Sequence, residues 1–371
     1  MTRRSPASTT PLALAVLASW SIAAAQPAPS DPPPAGDGHV DRRPSGASAQ
    51  NNAAEGEITP ALDAAVTRGL AALARMQDPD GGFGGSRGRN VAVTALACLA
   101  FMADGHLPGR GEYGDVVRRG LEAILASSTE TGLLAADSAS GPMYGHGFAT
   151  LFLGEIYGMT QGGGDTALAA RTHEVLVKAV RLIERTQNAE GGWRYNPIPY
   201  DADISVTICQ IMALRSARNA GIEVSKEVID RAVEYVRACQ NPDGGFRYQM
   251  TAGGSAWPRS AAGVASLYYA GIYEDDAIDK GLKYLMASAL PGSGADSRLH
   301  YFYGHYYAVQ SMYLAGGRHW QTWWPRIRDE LIGRQQAGGE WADPSVGPAY
   351  GTAMALIILQ MPKRYLPIFQ K

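Results

Sequence analysis

One short motif recurs along the chain and limits what the chain can fold into. It is a glutamine, three residues, two glycines and an aromatic residue. The copies are Gln77–Phe83, Gln187–Trp193, Gln240–Phe246 and Gln335–Trp341, the last with Glu340 in place of the second glycine. The four glutamines are 110, 53 and 95 residues apart, which a unit of about 50 residues explains. Weaker turns at 128–134 and 290–297 lie where copies are missing. The sequence therefore predicts six repeats.

Each repeat carries two helical patterns of different polarity. The first is amphipathic, as in residues 62–76, where Leu62, Val66, Leu70 and Leu73 share one face. The second is apolar nearly all round, as in residues 91–103. A helix that is apolar on every side must be covered on every side. We therefore predict an all-α fold in which six helical hairpins form two concentric layers.

Six hairpins can close into a ring or stack as an open solenoid. Neither end of this chain has the polar outer face that caps an open stack. The prediction is therefore a single (α/α)6 toroid with the apolar helices inside. The glycines of the motif suit a sharp reversal, and the glutamine amide suits bonding to loose backbone groups of neighbouring helices. On this interpretation the motifs brace the ring and carry no chemistry.

The first 57 residues differ in composition from the rest of the chain. Arg3 and Arg4 precede an apolar run at 12–25, which is typical of a signal peptide at 1–25 cleaved before Gln26. An uncleaved anchor is the alternative, although the run is shorter than the about 18 apolar residues of a membrane span. Residues 26–57 are rich in Pro, Ala, Gly and Ser, which predicts a disordered linker. We expect an exported protein, periplasmic or secreted, with its toroid at 58–371.

Charge, cysteines and motifs exclude several classes of function. A net charge of −2 argues against a nucleic-acid partner. Cys98, Cys209 and Cys239 are an odd count without metal spacing, so buried thiols are expected, with a Cys209–Cys239 disulfide as the alternative in an exported protein. The sequence has no Walker loop, dinucleotide fingerprint, nucleophile elbow or His-Glu-x-x-His motif. We therefore expect no cofactor and no metal.

The repeated motif resembles the QW repeats of squalene–hopene cyclases and the toroid of protein prenyltransferase β subunits, over the whole predicted folded part. Such cyclases carry Asp-x-Asp-Asp, whose middle Asp protonates a terminal alkene or epoxide. Residues 201–205, Asp-Ala-Asp-Ile-Ser, match the first two acids, and Ile204 replaces the third. The resemblance thus implies Asp203 as the acid and Asp201 as its partner. The Asp-x-Cys zinc signature of the prenyltransferases has no matching Cys here.

Polar residues recur where the inner helices begin. Aligned on these starts, Asn90, His146, Asp203, His305 and Tyr350 fall at equivalent positions. In a closed toroid the N-termini of all inner helices open at one end, so these side chains would converge on one mouth of the cavity. We therefore predict a polar, ligand-binding rim above an apolar barrel.

The segment 299–313 adds tyrosines to the same mouth. Tyr303 and Tyr306 would line the cavity, where their faces can stabilise positive charge or stack on sugar rings. A packing role stays open for each candidate: Asp203 as a helix N-cap, the two Tyr-Gly-His histidines as one reused packing solution, and the tyrosines as core.

The leading hypothesis is a terpenoid toroid that binds a polyprenyl or triterpene lipid and, if it is an enzyme, cyclises it by acid-initiated chemistry. That isoprenoid is the expected partner, with peripheral association with a membrane or envelope as an option. One alternative is an exported carbohydrate-active (α/α)6 enzyme, in which Glu155 or Asp343 faces Asp203 as the second carboxylate. The other is a non-catalytic scaffold or binding ring.

Overall fold

The computed structural model describes residues 56–85, 88–135, 141–160, 165–251, 253–293 and 300–370. The predicted signal peptide, all but the end of the predicted linker, and residues 294–297 of the second weak turn lie outside the described residues. The part described holds twelve α-helices, a two-stranded antiparallel ribbon and two short 3-10 helices. None of its helices is both long and apolar enough to cross a membrane.

Outer and inner helices alternate along the chain. The outer helices are α1 (Pro60–Ala74), α3 (Gly114–Ala126), α5 (Thr166–Arg185), α7 (Lys226–Ala238), α9 (Asp276–Ser288) and α11 (Gly317–Arg334). The inner helices are α2 (Val91–Met102), α4 (Pro142–Thr160), α6 (Ile204–Asn219), α8 (Trp257–Tyr269), α10 (Tyr301–Ala315) and α12 (Pro348–Leu359). Strands β1 (Gly84–Gly85) and β2 (Gly88–Arg89) precede α2, and the 3-10 helices Met361–Lys363 and Pro367–Phe369 follow α12.

The inner layer is a closed ring. Each inner helix packs against the next, and α12 packs against α2. Nearly every side chain of α2 and α12 is buried, whereas α7 buries one face only, which explains the alternating polarity of the sequence. The predicted single (α/α)6 toroid is confirmed, and the open solenoid is wrong because the last inner helix contacts the first.

The four motif glutamines make the same pair of hydrogen bonds. In each, Nε2 donates to the carbonyl four residues further on, within its own turn. It also donates to a carbonyl in the first turns of the next outer helix around the ring. These second acceptors are Val116, Val228, Ala277 and Ala65 for Gln77, Gln187, Gln240 and Gln335, at 2.8–2.9 Å. The amides therefore join consecutive repeats, and the last joins the end of the ring to its beginning.

The other motif positions also brace the ring. The first glycine of each copy has a positive φ, as at Gly191 (+97°), where a Cβ would lie 2.2 Å from the carbonyl oxygen of Arg231 in the next outer helix. The aromatic residue donates its backbone N–H to a hydroxyl of the following inner helix. These pairs are Phe83 with Thr94, Trp193 with Thr207, Phe246 with Ser260 and Trp341 with Thr352. The motifs are therefore structural, as predicted.

The chain's own C-terminal segment covers one end of the ring, the end at which the inner helices finish. Leu366, Ile368 and Phe369 are buried, and the 3-10 helix Pro367–Phe369 packs on α6. The backbone N–H of Ile368 donates to Glu155 Oε2 at 2.9 Å, and the hydroxyl of Ser216 donates to Glu155 Oε1 at 2.7 Å. Glu155 thus anchors the segment that covers this end.

Candidate active site

A cavity of about 400 Å³ lies where four inner helices begin. Its walls are the N-terminal ends of α4, α6, α8 and α10, together with the loops that follow the second and third motifs. The lining residues are Tyr144, Tyr195, Ser205, Tyr248, Ala256, Pro258, Arg259, His300 and Tyr303. The volume is within the roughly 300–1,000 Å³ of small-molecule sites. The predicted cavity at the inner-helix N-termini is therefore present, and tyrosines provide four of its nine lining residues.

Tyr303 of α10 lines this cavity, and Tyr307 of the same helix is buried below it. The hydroxyl of Tyr303 donates to the carbonyl of Ser205 at 3.4 Å, and one turn deeper the hydroxyl of Tyr307 lies 3.4 Å from Cys209 Sγ. Both partners belong to α6, which α8 separates from α10 in the ring. The two side chains therefore cross the lumen, and the ligand space is a bowl above a packed core. Sequence reasoning predicted a deeper apolar barrel, which these rings fill.

Asp203 is the N-cap of α6. Its Oδ1 accepts hydrogen bonds from the backbone N–H groups of Ser205 (2.8 Å) and Val206 (2.9 Å). Its side chain is fully buried, and Oδ2 accepts no hydrogen bond of ordinary geometry. Arg194 Nε lies 3.8 Å from Oδ2. One oxygen is therefore held by the helix, and the other lies beside Arg194.

Burial is the main reason why the pKa of Asp203 is higher than that of an exposed aspartate. It raises the pKa of the carboxyl to about 6, against the backbone N–H of Val206, the hydroxyl of Tyr248 and the guanidinium of Arg194, which lower it. The helix N-terminus thus fails to offset the loss of water around the charge. Asp203 therefore keeps its proton to a higher pH than an exposed aspartate does.

Asp201 does not contact Asp203 directly. Its Oδ2 pairs with Arg194 Nη1 at 2.6 Å, so the guanidinium stands between the two carboxylates. The same guanidinium lies over the rings of Tyr195 (5.1 Å to the centroid) and Tyr248 (5.6 Å), whose hydroxyls are hydrogen-bonded to each other. Asp201 therefore acts on Asp203 only through Arg194.

Sequence reasoning missed Arg194, Tyr195 and Tyr248, although a signal for them exists. The second and third motifs both continue as aromatic-Arg-Tyr, at Trp193–Tyr195 and Phe246–Tyr248. In both, the tyrosine lines the cavity, because the chain leaves the motif turn at the level of the inner-helix N-termini. Tyr144, Arg259 and His300 were missed as well, and only the fold brings them to this cavity.

The polar residues predicted to occupy equivalent positions at the inner-helix starts do not all do so. His146 and His305 lie about one helical turn further along their helices than predicted. Asn90 is an N-cap like Asp203, with Oδ1 accepting from Ala92 and Val93 N–H. His146 and His305 instead lie inside α4 and α10, because α4 begins already at Pro142 and α10 at Tyr301. Their level in the ring is that of Thr94, Thr207, Ser260 and Thr352.

Both histidines lie in the core. His146 Nδ1 accepts from the backbone N–H of Leu134 at 3.1 Å, and Nε2 lies 3.2 Å from the carbonyl oxygen of Ala179. Burial lowers the pKa of His146 to about 4, so the ring is neutral. The ring of His305 is buried against Trp257 and Tyr301, with centroids at 4.8 and 4.5 Å. Neither lines the cavity, which favours the packing interpretation.

The remaining predicted ligand contacts divide between cavity and core. Tyr303 lines the cavity. Tyr306 is fully buried beneath it, with its ring 6.1 Å from that of Phe148. Tyr350, in the first turn of α12, and the N-cap Asn90 lie outside the cavity lining. The three cysteines are buried free thiols, so the alternative Cys209–Cys239 disulfide is not formed.

The second carboxylates considered for a carbohydrate enzyme lie elsewhere. Glu155 bonds Ser216, which follows Asp203 by 13 residues along α6, about 20 Å at 1.5 Å per residue. The paired carboxylates of glycosidases lie roughly 5–10 Å apart. Asp343 Oδ1 accepts from the backbone N–H groups of Ser345 and Val346, and Asp343 lines a separate cavity. Among the described residues no His, Cys, Asp and Glu side chains cluster as a metal site.

A closed ring of six helical hairpins, with a ligand-sized cavity at the inner-helix N-termini, defines the α/α toroid class of protein. The family model for the prenyltransferase alpha-alpha toroid domain matches residues 58–142 and 166–300. These residues are more than half of the chain, and the chain belongs to this family. None of the curated proteins matches the sequence significantly.

Solved structures share the fold at low sequence identity. A variant of the type II terpene cyclase MstE from Scytonema, in complex with its substrate geranylgeranyl dihydroxybenzoate, is 12% identical, with a TM-score of 0.56 over 82% of this chain and 98% of that one. The GH76 alpha-mannanase of Bacteroides thetaiotaomicron is 8% identical, with a TM-score of 0.58 over 82% and 96%. A D-mannose isomerase is 12% identical, with a TM-score of 0.59 over 82% and 97%. These likenesses show the fold alone.

Proposed function

We propose that this toroid binds an isoprenoid ligand in the cavity at the inner-helix N-termini and cyclises it by protonation from Asp203. One observation carries the proposal: a fully buried carboxyl, with one oxygen held by the helix and its pKa raised to about 6, lies beside Tyr248, which lines the cavity. The presence of a cavity favours a ligand-binding function over a purely structural role for the ring. Membership of the prenyltransferase toroid family supports an isoprenoid as the ligand.

The chemistry needs no cofactor. The protonated Asp203 transfers the proton on Oδ2 to the terminal carbon of a trisubstituted alkene, so that the O–H bond breaks, a C–H bond forms and a tertiary cation results. The next alkene of the chain attacks this cation and forms a ring C–C bond. The final cation loses a proton to water, and Asp203 regains one from solvent. The net reaction is an isomerisation.

The tyrosines have two roles in this proposal. The faces of Tyr144 and Tyr303 border the cavity and stabilise positive charge on the ligand. Tyr248 lies between the cavity and Asp203, and its hydroxyl lies close enough to the carboxyl to lower its pKa. Proton transfer therefore requires the ring of Tyr248 to move aside when the ligand enters.

Product analysis by mass spectrometry tests the proposal. The purified protein is incubated with squalene and, separately, with geranylgeraniol, alongside Asp203→Asn. Asparagine also caps helices well, so this variant keeps the fold. Asp275→Asn is a matched control, because Asp275 caps the outer helix α9 by accepting from Ala277 N–H. We expect cyclised product from the wild type and the control only.

Two results would contradict different parts of the proposal, the first the identity of the acid and the second the cyclisation itself. Equal product from Asp203→Asn would show that another group supplies the proton. No product from any of the three proteins, with either substrate, would remove cyclisation and leave ligand binding to be measured directly.

A further inference from the structure

We infer that the C-terminal segment (residues 361–370) is a lid that is closed in acid and opens as the pH rises, because Glu155, the buried carboxyl that holds it, then becomes ionised. The lid covers the end of the ring at which the inner helices finish, opposite the cavity, and its opening uncovers that end of the lumen. The inference is therefore independent of the proposed ligand and reaction.

The C-terminal segment lies on the ring as a separate strap. Its inward side chains, among them Leu366 and Ile368, are buried, whereas Tyr365 is 52% exposed. Four of its backbone N–H groups bond to carbonyls within residues 360–370, those of Lys363, Arg364, Phe369 and Gln370. The segment can therefore leave the ring without breaking these bonds, as a local opening rather than a loss of the whole fold.

Two carboxylates of the ring hold the segment. Asp104 pairs with Lys363, and Glu155 Oε2 accepts a hydrogen bond from the backbone N–H of Ile368 at 2.9 Å. The side chain of Asp104 is 23% exposed, whereas Glu155 is buried. A change of charge therefore matters more at Glu155, because a charge is costly where water is excluded.

The closed segment gives the carboxyl of Glu155 no positive partner. The segment carries two cations near this point, but Lys363 pairs with Asp104, and Arg364 lies over the ring of Tyr313 at 5.6 Å from its centroid. Within the part of the chain that the structure describes, no Lys or Arg forms an ion pair with Glu155. Its bonds come from neutral groups alone.

The other elements around Glu155 bring no compensating charge either. The titratable groups that sense its charge across the lumen are the phenols of Tyr269 in α8 and Tyr306 in α10, and burial raises the pKa of both, so both are neutral. From α6, Ser216 reaches the carboxyl, while Arg215 acts on Tyr269 instead. Among the described residues of α2 and α5, which also pack against α4, no charged group shifts the pKa of Glu155.

The protonated carboxyl suits the closed state. Ser216 Oγ lies 2.7 Å from Glu155 Oε1 and 3.0 Å from the carbonyl oxygen of Leu151. A hydroxyl has one proton, which an ionised Glu155 takes for itself. A protonated Glu155 can donate to Ser216, whose own proton then serves Leu151, while Oε2 keeps the bond from Ile368. Protonation thus satisfies every contact of the carboxyl at once.

The direction of the pH effect follows from the two environments of the carboxyl. In the closed ring, burial raises the pKa of Glu155 to about 7 from 4.5, and release of the segment into water returns it towards 4.5. The closed state is therefore fully favoured below pH 4.5 and loses this advantage as the pH rises through 7. The ratio of open to closed molecules should increase by up to about 70-fold between pH 5 and pH 8.

Hydrogen–deuterium exchange of the full protein between pH 5 and pH 8 tests the inference. Overlapping peptides resolve the backbone amide of Ile368, which loses its partner on release, and peptides of α7 serve as the reference. Each rate is corrected for the intrinsic dependence of exchange on pH. We expect the protection of Ile368 to fall by up to about 70-fold across this range, while that of α7 is unchanged.

Glu155→Gln and a matched control assign the effect to one carboxyl. Glutamine cannot ionise, so the protection of Ile368 in Glu155→Gln should not depend on pH. Asp104→Asn is the control, because Asp104 also holds the segment, through Lys363. It should lower the protection of Ile368 at every pH and keep the pH dependence of the wild type.

Three results would overturn the inference. Protection of Ile368 that is constant with pH in the wild type would remove the lid, whether or not the variants fold. The same pH dependence in Glu155→Gln would assign the opening to another group. An equal loss of protection in α7 would show that the whole ring unfolds and that the segment does not open by itself.

Discussion

The side-chain amide of Gln335 donates to the backbone carbonyl of Ala65 at 2.9 Å, across 270 residues of sequence. Gln335 ends the last outer helix and Ala65 lies in the first, so this contact joins the two ends of the ring. The same amide also donates to Gly339 in its own turn at 2.8 Å. The hydrogen bond that closes the toroid is therefore of the same kind as those that link Gln77, Gln187 and Gln240 to their next repeats.

Gln335→Ala should destabilise the protein by loosening this closure. It removes two hydrogen bonds, to the carbonyls of Ala65 and Gly339, which together contribute about 1–3 kcal/mol to the free energy of unfolding. Gln336→Ala is the control, because the neighbouring side chain is exposed, and its effect should stay within about 0.5 kcal/mol. Urea unfolding of both variants measures the difference, and equal effects would show that the closing bond adds no stability.

Gly191→Ala should destabilise the protein by more than the strain of placing an alanine at a positive φ. A Cβ at Gly191 would lie 2.2 Å from the carbonyl oxygen of Arg231, whereas one at Gly221, also at positive φ (+86°), meets nothing within 4 Å. We expect about 1 kcal/mol for Gly221→Ala and about 3 kcal/mol or more for Gly191→Ala. Similar losses in thermal unfolding would mean that the motif turn does not need its close approach to the next helix.

Asp203→Asn should change how stability depends on pH. Burial raises the pKa of Asp203 to about 6 from the ordinary value of 3.8, so the folded state prefers the protonated carboxyl. Its contribution to stability is fully present below pH 4 and is lost as the pH rises through 6. The wild type should therefore lose up to about 3 kcal/mol relative to Asp203→Asn across this window. Unfolding free energies from pH 4 to 7 measure the difference, and parallel curves would contradict the shifted pKa.

Glu155→Gln should stabilise the protein at alkaline pH. Burial raises the pKa of Glu155 to about 7 from 4.5, against the hydrogen bonds from Ile368 and Ser216, which lower it. The wild type therefore loses stability as the pH rises from about 4.5 through 7, where a buried charge must form. At pH 8 the variant should exceed the wild type by up to about 3 kcal/mol.

A matched surface change controls for the loss of one charge. Glu174→Gln removes an exposed carboxylate that pairs with Lys178, and it should leave stability nearly unchanged at either pH. Thermal melts at pH 5 and pH 8 compare the variants. A Glu155→Gln protein that is less stable than the wild type at pH 8 would show that the ionised carboxyl holds the C-terminal segment better than an amide.

The architecture was predictable because it depends on patterns that are short in sequence. The repeat of Gln77, Gln187, Gln240 and Gln335 sets the number of units, and the alternation of amphipathic with fully apolar helices sets the two layers. Asp203 as an N-cap also follows from its place immediately before an apolar helix. Each of these features depends on neighbours within a few turns of helix.

The site was less predictable because its geometry depends on how the ring curves and where each helix begins. The start of α4 at Pro142 moved His146 into the core, a shift of one turn that no local pattern marks. Only the closed ring brings Tyr303 and Tyr307 across the lumen to α6, 98 residues away in sequence.

The repeats, the two layers and the acid at the start of α6 all follow from the sequence alone. Only the closed ring sets Arg194 between Asp201 and Asp203, makes the cavity a bowl, and brings Arg259 into its wall. The physical reason is that secondary structure and layering arise from local periodicity. The pKa of a carboxyl and the charge of a cavity, in contrast, arise from groups that meet only when the ring closes.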